Sequence, residues 1–478
     1  MKVRTRFAPS PTGFMHLGGM RTALYCFLFA RQHKGDFILR IEDTDQERFV
    51  EGATEVIYSS LKEGGMNYDE GPDVGGNYGP YVQSERRDIY QKYAKELIER
   101  GGAYYCFCTK ERLSSLKDDF GNTRYDKHCL NLTKEEIEQK LKDGVPYVIR
   151  QNIPKTGVGT YEDAVYGTIS VDFSELEDNI LIKSDGLPTY NFANVIDDHL
   201  MRITHVIRGS EYLSSTPKYN LMYDAFGWER PVYIHLPPIM KDATRKLSKR
   251  YGDANFDDFV SKGYLPAAII NYIALLGWCP KDNSEKMTMD EMIEKFSLDG
   301  VSKSPAIFDD VKLRWLNGEY LKAMTDEEFY AVSKPFIEKS KVGAKYDNRL
   351  IAPLLKTRVE ILSEIPDKIN FLEEFGEFSS DLYFHKKMKI DKDLAKSSLP
   401  AIVSAFEKIT DFSHDGIYQA LCKCAETIGL KSGQVLSIAR VALTGKDVTP
   451  GGSVEIAQIL GKEESLRRLN YSLNLLNK

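Results

Sequence analysis

The chain has 478 residues, too many for one hydrophobic core, so about three to five domains are expected. Its 42% hydrophobic content is ordinary, no run approaches the ~18 apolar residues of a membrane span, and the N-terminus has no signal-like apolar segment. Seven cysteines, an odd number, point to reduced thiols and a cytoplasmic protein, and a net charge of −6 argues against indiscriminate nucleic-acid binding without excluding a local basic groove.

Val3, Thr5 and Phe7 alternate as in a short buried strand, Pro9-Ser10-Pro11-Thr12-Gly13 reads as a tight turn, and 20–32 carries apolar residues at helical spacing. His16, Gly18 and Gly19 therefore stand where a strand hands over to a helix. Free backbone N–H groups and the helix dipole favour an anion there, and glycine lets a phosphate or a flat base approach the backbone. A second strand is expected over 36–41, with helices over 51–63 and 84–100. This is one half of a doubly wound nucleotide fold, and Glu42 lies at the C-terminal end of its strand, where ligands of open α/β sheets collect.

Residues 103–187 break this pattern with a cysteine pair, a charged helix over 134–141 and β-rich runs at 147–152 and 168–173. They read as an insertion. The sheet is expected to resume with strands at 191–196 and 204–208, a helix over 215–226 and a strand at 232–236. Lys246-Leu247-Ser248-Lys249-Arg250 follows, a loop whose cations could reach the phosphates held at the first helix. From about 255 the chain reads as helical, with apolar spacing at 265–276 and 310–320, and with 350–371 and 417–428 as helices of a separate bundle.

The pairing of His16-Leu17-Gly18-Gly19 with Lys246 to Arg250 resembles the two signatures of class I aminoacyl-tRNA synthetases. Arg40-Ile41-Glu42-Asp43-Thr44-Asp45, Gly186 to Asn194, Asp197-Asp198-His199 and Val206-Ile207-Arg208-Gly209-Ser210-Glu211 narrow the resemblance to the bacterial glutamyl-tRNA synthetases, over nearly the whole chain. That family implies a Rossmann-type catalytic domain in two halves (1–102 and 188–254), an inserted α/β acceptor-binding domain (103–187), a helical stem-contact domain (255–323) and an all-α anticodon-binding region (324–478). It implies L-glutamate, ATP with Mg²⁺ and tRNA-Glu as partners, no membrane, a monomer, and adenylate formation that requires tRNA. Gly19 and Arg250 depart from the general class I consensus.

The reaction joins a carboxylate to the α-phosphorus of ATP and then passes the acyl group to a tRNA hydroxyl. Such chemistry is mostly positioning and charge neutralisation. The resemblance gives His16, Lys246 and Lys249 catalytic roles and assigns ATP to Pro9, Ser10, His16, Gly18, Gly19, Lys246, Leu247, Ser248, Lys249 and Arg250. Glutamate needs an arginine fork for its γ-carboxylate and an acid for its ammonium. Arg6 is the candidate for the first and Glu42 for the second. Ala8, Ser10, Arg48, Tyr190, Asn194 and Arg208 match the family's other glutamate contacts, and Tyr212 stands where a tryptophan is expected. Arg358, expected on a helix, matches an arginine that rejects the tRNA-Gln anticodon. Cys106, Cys108 and Cys129 resemble zinc ligands of some members, but Asn131 stands where the fourth ligand belongs and His128 is awkwardly placed, so zinc is not favoured. The alternatives are a non-discriminating enzyme that also charges tRNA-Gln, a tRNA-independent glutamyl transferase and an inactive RNA-binding paralogue. The helical residues after about 325 weigh against the transferase, and intact His16, Glu42, Arg208 and Lys249 against the paralogue.

Overall fold

The computed structural model describes residues 2–48, 50–116, 125–247 and 255–477. It divides into two compact units: residues 1–261 with 266–310, and residues 262–265 with 311–478.

In the first unit, β1 (Arg4–Phe7) and β2 (Asp36–Leu39) pair in parallel across the crossover helix α1 (Leu17–Gln32). All four residues of β1 are buried, as a strand covered on both faces requires. Gly35 opens β2 because a Cβ there would stand 2.3 Å from the Val3 carbonyl oxygen. Helices α2 (Ala53–Glu63) and α3 (Arg87–Glu99) follow. Next come β3 (Ala103–Cys106), α4 (Lys110–Ser114), α5 (Lys134–Lys142) and β4 (Val148–Gln151). Thr133 and Glu136 close a capping box at the start of α5, which fixes where that charged helix begins.

The hairpin β5 (Val158–Asp163) and β6 (Gly167–Asp172) falls within the stretch read as an insertion, yet β5 joins the sheet formed by the strands that follow it. The order there is β6-β5-β9-β8, whereas β7 (Ile180–Ile182) completes a separate antiparallel sheet with β3 and β4. Strand β8 (His205–Gly209) runs parallel to β9 (Val232–Leu236), with α7 (Thr216–Phe226) between them in the chain. The Thr204 N–H donates to the Arg4 carbonyl at 3.0 Å, which sets β8 beside β1.

One expected strand is a helix. Residues 191–196 lie within α6 (Tyr190–Leu200). A short apolar run does not distinguish strand from buried helix by periodicity alone. Here helical spacing puts Asn194, Asp197 and Asp198 into the interior with Phe192, Val195 and Ile196. The unit closes with β10 (Ile239–Met240), α8 (Phe256–Ser261), α9 (Pro266–Ala274), α10 (Met289–Lys295) and β11 (Ala306–Ile307), which pairs with β10.

The second unit is helical: α11 (Asp310–Ala323), α12 (Asp326–Glu338), α13 (Lys341–Lys345), α14 (Asn348–Leu355), α15 (Ile365–Ile369), α16 (Lys392–Lys408), α17 (His414–Thr427), α18 (Ser432–Thr444) and α19 (Ser453–Asn477), the last interrupted at Gly461 with φ +77°. The helix expected over 350–371 is broken. It stops at Leu355, and the chain turns before resuming at Ile365, with Pro366 at a first-turn position where proline costs nothing. Arg468 is wholly buried and donates to the carbonyls of Phe371, Leu372 and Leu443, tying helix ends to the bundle core.

Candidate active site

The ends of β1, β2 and β8 and one face of α6 meet around a buried charge network. Arg6 on β1 forks onto Asp198 of α6, with Nε 3.0 Å from Oδ1 and Nη2 3.2 Å from Oδ2, while its Nη1 donates to the Ile207 carbonyl. Arg40 donates to Asp198 at 2.7 Å and to Glu42 at 3.0 Å. Arg86, Gln83 and the Tyr90 hydroxyl each donate to Asp197 at 2.8 Å. The three arginines Arg6, Arg40 and Arg86 thus face the three carboxylates Glu42, Asp197 and Asp198, and the cluster balances. Burial pushes the Asp198 carboxyl up, but Arg6 and Arg40 outweigh it and hold the group below the usual carboxylate range. Burial wins at Glu42, whose carboxyl sits above its usual range despite Arg40.

Arg208 on β8 is different. It is buried, and no carboxylate among the described residues forms an ion pair with it. Its Nε donates to His235 Nε2 at 3.1 Å and its Nη2 to the Thr216 hydroxyl at 2.7 Å. The rings of Tyr212, Tyr219 and Tyr233 surround the guanidinium at 4.9, 4.9 and 5.4 Å, a cation–π cage that offsets part of its desolvation. Tyr190 packs on Tyr212 with ring centroids 5.1 Å apart, and it feels both Arg208 and Arg6. The structure therefore brings Arg6, Glu42, Tyr190 and Arg208 together. Asn194 belongs to the same face, with its amide donating to the Tyr190 carbonyl. Ala8 follows β1, and Ser10 is exposed in the turn after it.

His16 is the N-cap of α1. Its Nδ1 accepts the Gly18 N–H at 3.0 Å, so in the neutral ring Nε2 carries the proton. A Cβ at Gly18 would lie 3.2 Å from that Nδ1, a contact tighter than most. A Cβ at Gly19 would meet only ordinary contacts, 3.5 Å from Met15 Sδ, so packing does not demand glycine there. Pro9 accepts the Glu42 N–H at 3.0 Å, which links the turn after β1 to the acidic motif after β2. After β10, Asp242 gathers the Thr244 and Arg245 N–H groups at 3.0 Å each into a tight loop. That loop leads to exposed Lys246 and half-buried Leu247. Ser248, Lys249 and Arg250 lie outside the described residues.

Two expectations are corrected. Arg48 does not enter the cluster: its side chain is 75% exposed and pairs with Asp45 at 2.6 Å, because its short helical turn faces outward. Arg358 is exposed in the turn after α14, not on a helix.

Sequence reasoning missed four residues. Gln83, Asp163 and His235 carry no local motif, and only tertiary contacts reveal them. The fourth is Tyr125. The Cys106, Cys108 and Cys129 sulfurs lie within 4.8 Å of one another. The Tyr125 hydroxyl is 3.4 Å from Cys106 Sγ and 3.6 Å from Cys108 Sγ. Arg150 Nε donates to Cys106 Sγ at 3.4 Å and stacks over Tyr125 at 4.3 Å, a cation that favours a thiolate at Cys106. Three sulfurs and one oxygen fit a closed structural zinc site. In the sequence Asn131 stands where a fourth ligand belongs; in the fold the Tyr125 hydroxyl lies beside the thiols.

Two family models match the sequence: the catalytic domain of class I tRNA synthetases (E and Q) over residues 2–315, and an anticodon-binding domain over 307–473. A glutamate–tRNA ligase of Clostridium botulinum (strain Eklund 17B) is 57% identical, with 99% of each chain covered. The chain belongs to the glutamate–tRNA ligases. A second ligase of that name, from Clostridium kluyveri, is also 57% identical over 99% of this chain and 98% of its own. Among solved structures, the glutamate–tRNA ligase of Elizabethkingia meningosepticum in complex with its amino acid matches with a TM-score of 0.87 at 37% identity, covering both chains fully. Within this family, the α/β unit is the catalytic domain and the helical unit the anticodon-binding region. No helix among the described residues is long and apolar enough to cross a membrane.

Proposed function

We propose that this chain attaches L-glutamate to tRNA-Glu in two steps: ATP-dependent formation of glutamyl-adenylate, then transfer to the tRNA 3′ end. The observation that carries the reading is Arg208, a buried cation with no carboxylate of its own among the described residues, set beside Tyr190 and near a balanced network that ends in Glu42. A buried net positive charge favours an anionic side chain over its amide. Arg208 takes the γ-carboxylate. Three of the five Arg6 N–H groups are committed to Asp198 and Ile207, so Arg6 supports this role mainly from the network. Glu42 takes the ammonium.

ATP lies at the mouth of α1. The Nε2–H of His16 serves its phosphates, the Gly18 N–H being taken by His16 Nδ1, and Gly18 and Gly19 leave the backbone open to it. Mg²⁺ accompanies those phosphates. Lys246 and Lys249 neutralise the charge that builds on the leaving pyrophosphate, the largest electrostatic demand of the step. Cys106, Cys108 and Cys129, with the Tyr125 hydroxyl beside them, would hold a zinc ion, which would supply a structural tie near β3 and not a catalytic centre. Adenylate formation waits for tRNA, which shifts the site to its productive state through differential affinity.

The test is glutamate-dependent ATP–pyrophosphate exchange with and without tRNA-Glu, run beside charging of tRNA-Glu and tRNA-Gln. Exchange only with tRNA, and charging of tRNA-Glu, are expected. No charging of either tRNA overturns the reading. Robust exchange without tRNA removes the tRNA requirement alone.

A further inference from the structure

Asp163 and His235 lie outside every motif that points to the reaction, yet both are wholly buried and bonded to one another. Asp163 ends β5 and His235 sits on β9 next to Arg208 on β8; in the parallel register Arg208 faces His235. The Asp163 carboxylate is held rigidly. Its Oδ1 accepts the Val165 and Tyr166 N–H groups at 3.0 and 2.8 Å, and its Oδ2 accepts the His235 N–H at 3.2 Å. The same Oδ2 lies 2.6 Å from His235 Nδ1.

A carboxylate accepts only, so His235 Nδ1 must carry the proton. In a neutral ring Nε2 is then an acceptor, which is what the Arg208 Nε–H requires at 3.1 Å. A doubly protonated ring would set two donors face to face. Burial and Arg208 push the imidazole below its usual range against the pull of Asp163, in keeping with a neutral ring.

We infer that Asp163 and His235 are positioning residues for Arg208: the carboxylate fixes the histidine tautomer, and the imidazole fixes the guanidinium so that its charge is kept for the substrate's side-chain carboxylate. The contrast with Arg6 gives the reason. Arg6 is forked directly onto Asp198, which consumes its charge and two of its nitrogens. At Arg208 a neutral ring stands between the cation and Asp163. It takes one N–H, and Thr216, itself tied to the Tyr212 carbonyl at 2.8 Å, takes another. The guanidinium is oriented at two nitrogens without being neutralised at contact distance. Selection of glutamate over glutamine depends on that residual charge. This inference rests on the assignment of Arg208 to the γ-carboxylate.

The test compares His235→Phe, His235→Gln and Arg208→Gln by tRNA-dependent pyrophosphate exchange, varying glutamate, glutamine and ATP. The glutamine substitution at His235 keeps a neutral acceptor within reach of Arg208, and the phenylalanine substitution removes it. His235→Phe is expected to raise the glutamate KM by about tenfold or more and to narrow the glutamate-to-glutamine ratio of kcat/KM by a similar factor, with the ATP KM within about threefold. His235→Gln should recover most of the loss. In wild type, ¹⁵N NMR of labelled histidine should place the His235 proton on Nδ1 at neutral pH, with the signal assigned by its loss in His235→Gln. Equal impairment of both His235 variants, or neither impaired while Arg208→Gln is, overturns the positioning role and leaves Arg208 in place. An Arg208→Gln enzyme with an unchanged glutamate KM overturns the Arg208 assignment, and this inference with it. If His235→Phe does not fold, the tautomer and the His235→Gln kinetics decide: an Nε2–H ring, or a glutamine variant that loses discrimination as Arg208→Gln does, overturns the role.

Discussion

Removing Arg6 tests whether it serves the substrate or only the network. Arg6→Ala deletes the fork on Asp198 and leaves that carboxylate with Arg40 alone, 2.7 Å away. The cluster changes from three cations against three anions to two against three, with one buried negative charge uncompensated. Breaking a buried pair this way costs about 3–5 kcal/mol. For a unit of about 300 residues, each kcal/mol lowers Tm by roughly 1.5 °C, so a drop of about 5 °C or more is expected. Adding Asp198→Asn removes the stranded charge and should return much of the stability, because the two residues act as a coupled pair. Glutamate use should behave otherwise. The kcat/KM for glutamate should fall by about 10² in the single variant and stay low in the double variant, because the Arg6 N–H groups not committed to Asp198 or Ile207 are missing in both; ATP KM should change little. Thermal melts and tRNA-dependent pyrophosphate exchange read the two effects separately. If the double variant regains both stability and glutamate kcat/KM, Arg6 does no more than neutralise Asp198, and its link to the substrate is wrong.

Lys249→Ala should slow adenylate formation by about 10² or more in single-turnover measurements with little change in glutamate affinity, and a near-normal rate removes its phosphate role. Arg358→Gln should bring charging of tRNA-Gln toward that of tRNA-Glu, since an edge-reading donor against the third anticodon base is lost; if the wild type already charges both comparably, the discriminating reading fails. Protein purified without chelator should hold about one zinc per chain, lowered by Cys108→Ser and by Tyr125→Phe; metal-free protein with full charging activity counts against the site. Glu464 is held down to about 2 by Arg467, against burial and with help from Arg468. A carboxyl depressed on folding stabilises above its unfolded value near ~4.3 and loses that stability as pH falls toward its folded value. Glu464→Gln should therefore flatten the fall in Tm between about pH 4 and 2, by about 1 kcal/mol after solvent screening; an unchanged acid limb refutes it.

Much of the site was legible in the chain because the reaction needs particular residues next to particular turns. His16 with Gly18 and Gly19 stands at the start of α1 and Glu42 follows β2, and local order alone gives both placements. Element boundaries followed wherever side-chain pattern and capping agreed, as at 134–142 with its Thr133 cap. The failures share a cause. Residues 191–196 are apolar enough for strand or helix, and only packing of Asp197 and Asp198 against three arginines chose the helix. The choice among Arg6, Arg48 and Arg208 was likewise closed to the sequence. All three are arginines near acidic motifs, and what separates them is which carboxylate each meets after folding: Asp198 for the first, Asp45 at the surface for the second, and a neutral histidine for the third. Asp163 lies 72 positions before His235, and Tyr125 reaches its thiols from a loop. Local patterns record what a segment does by itself; whether a buried charge is spent or available depends on partners brought from distant segments, and the tertiary fold alone supplies them.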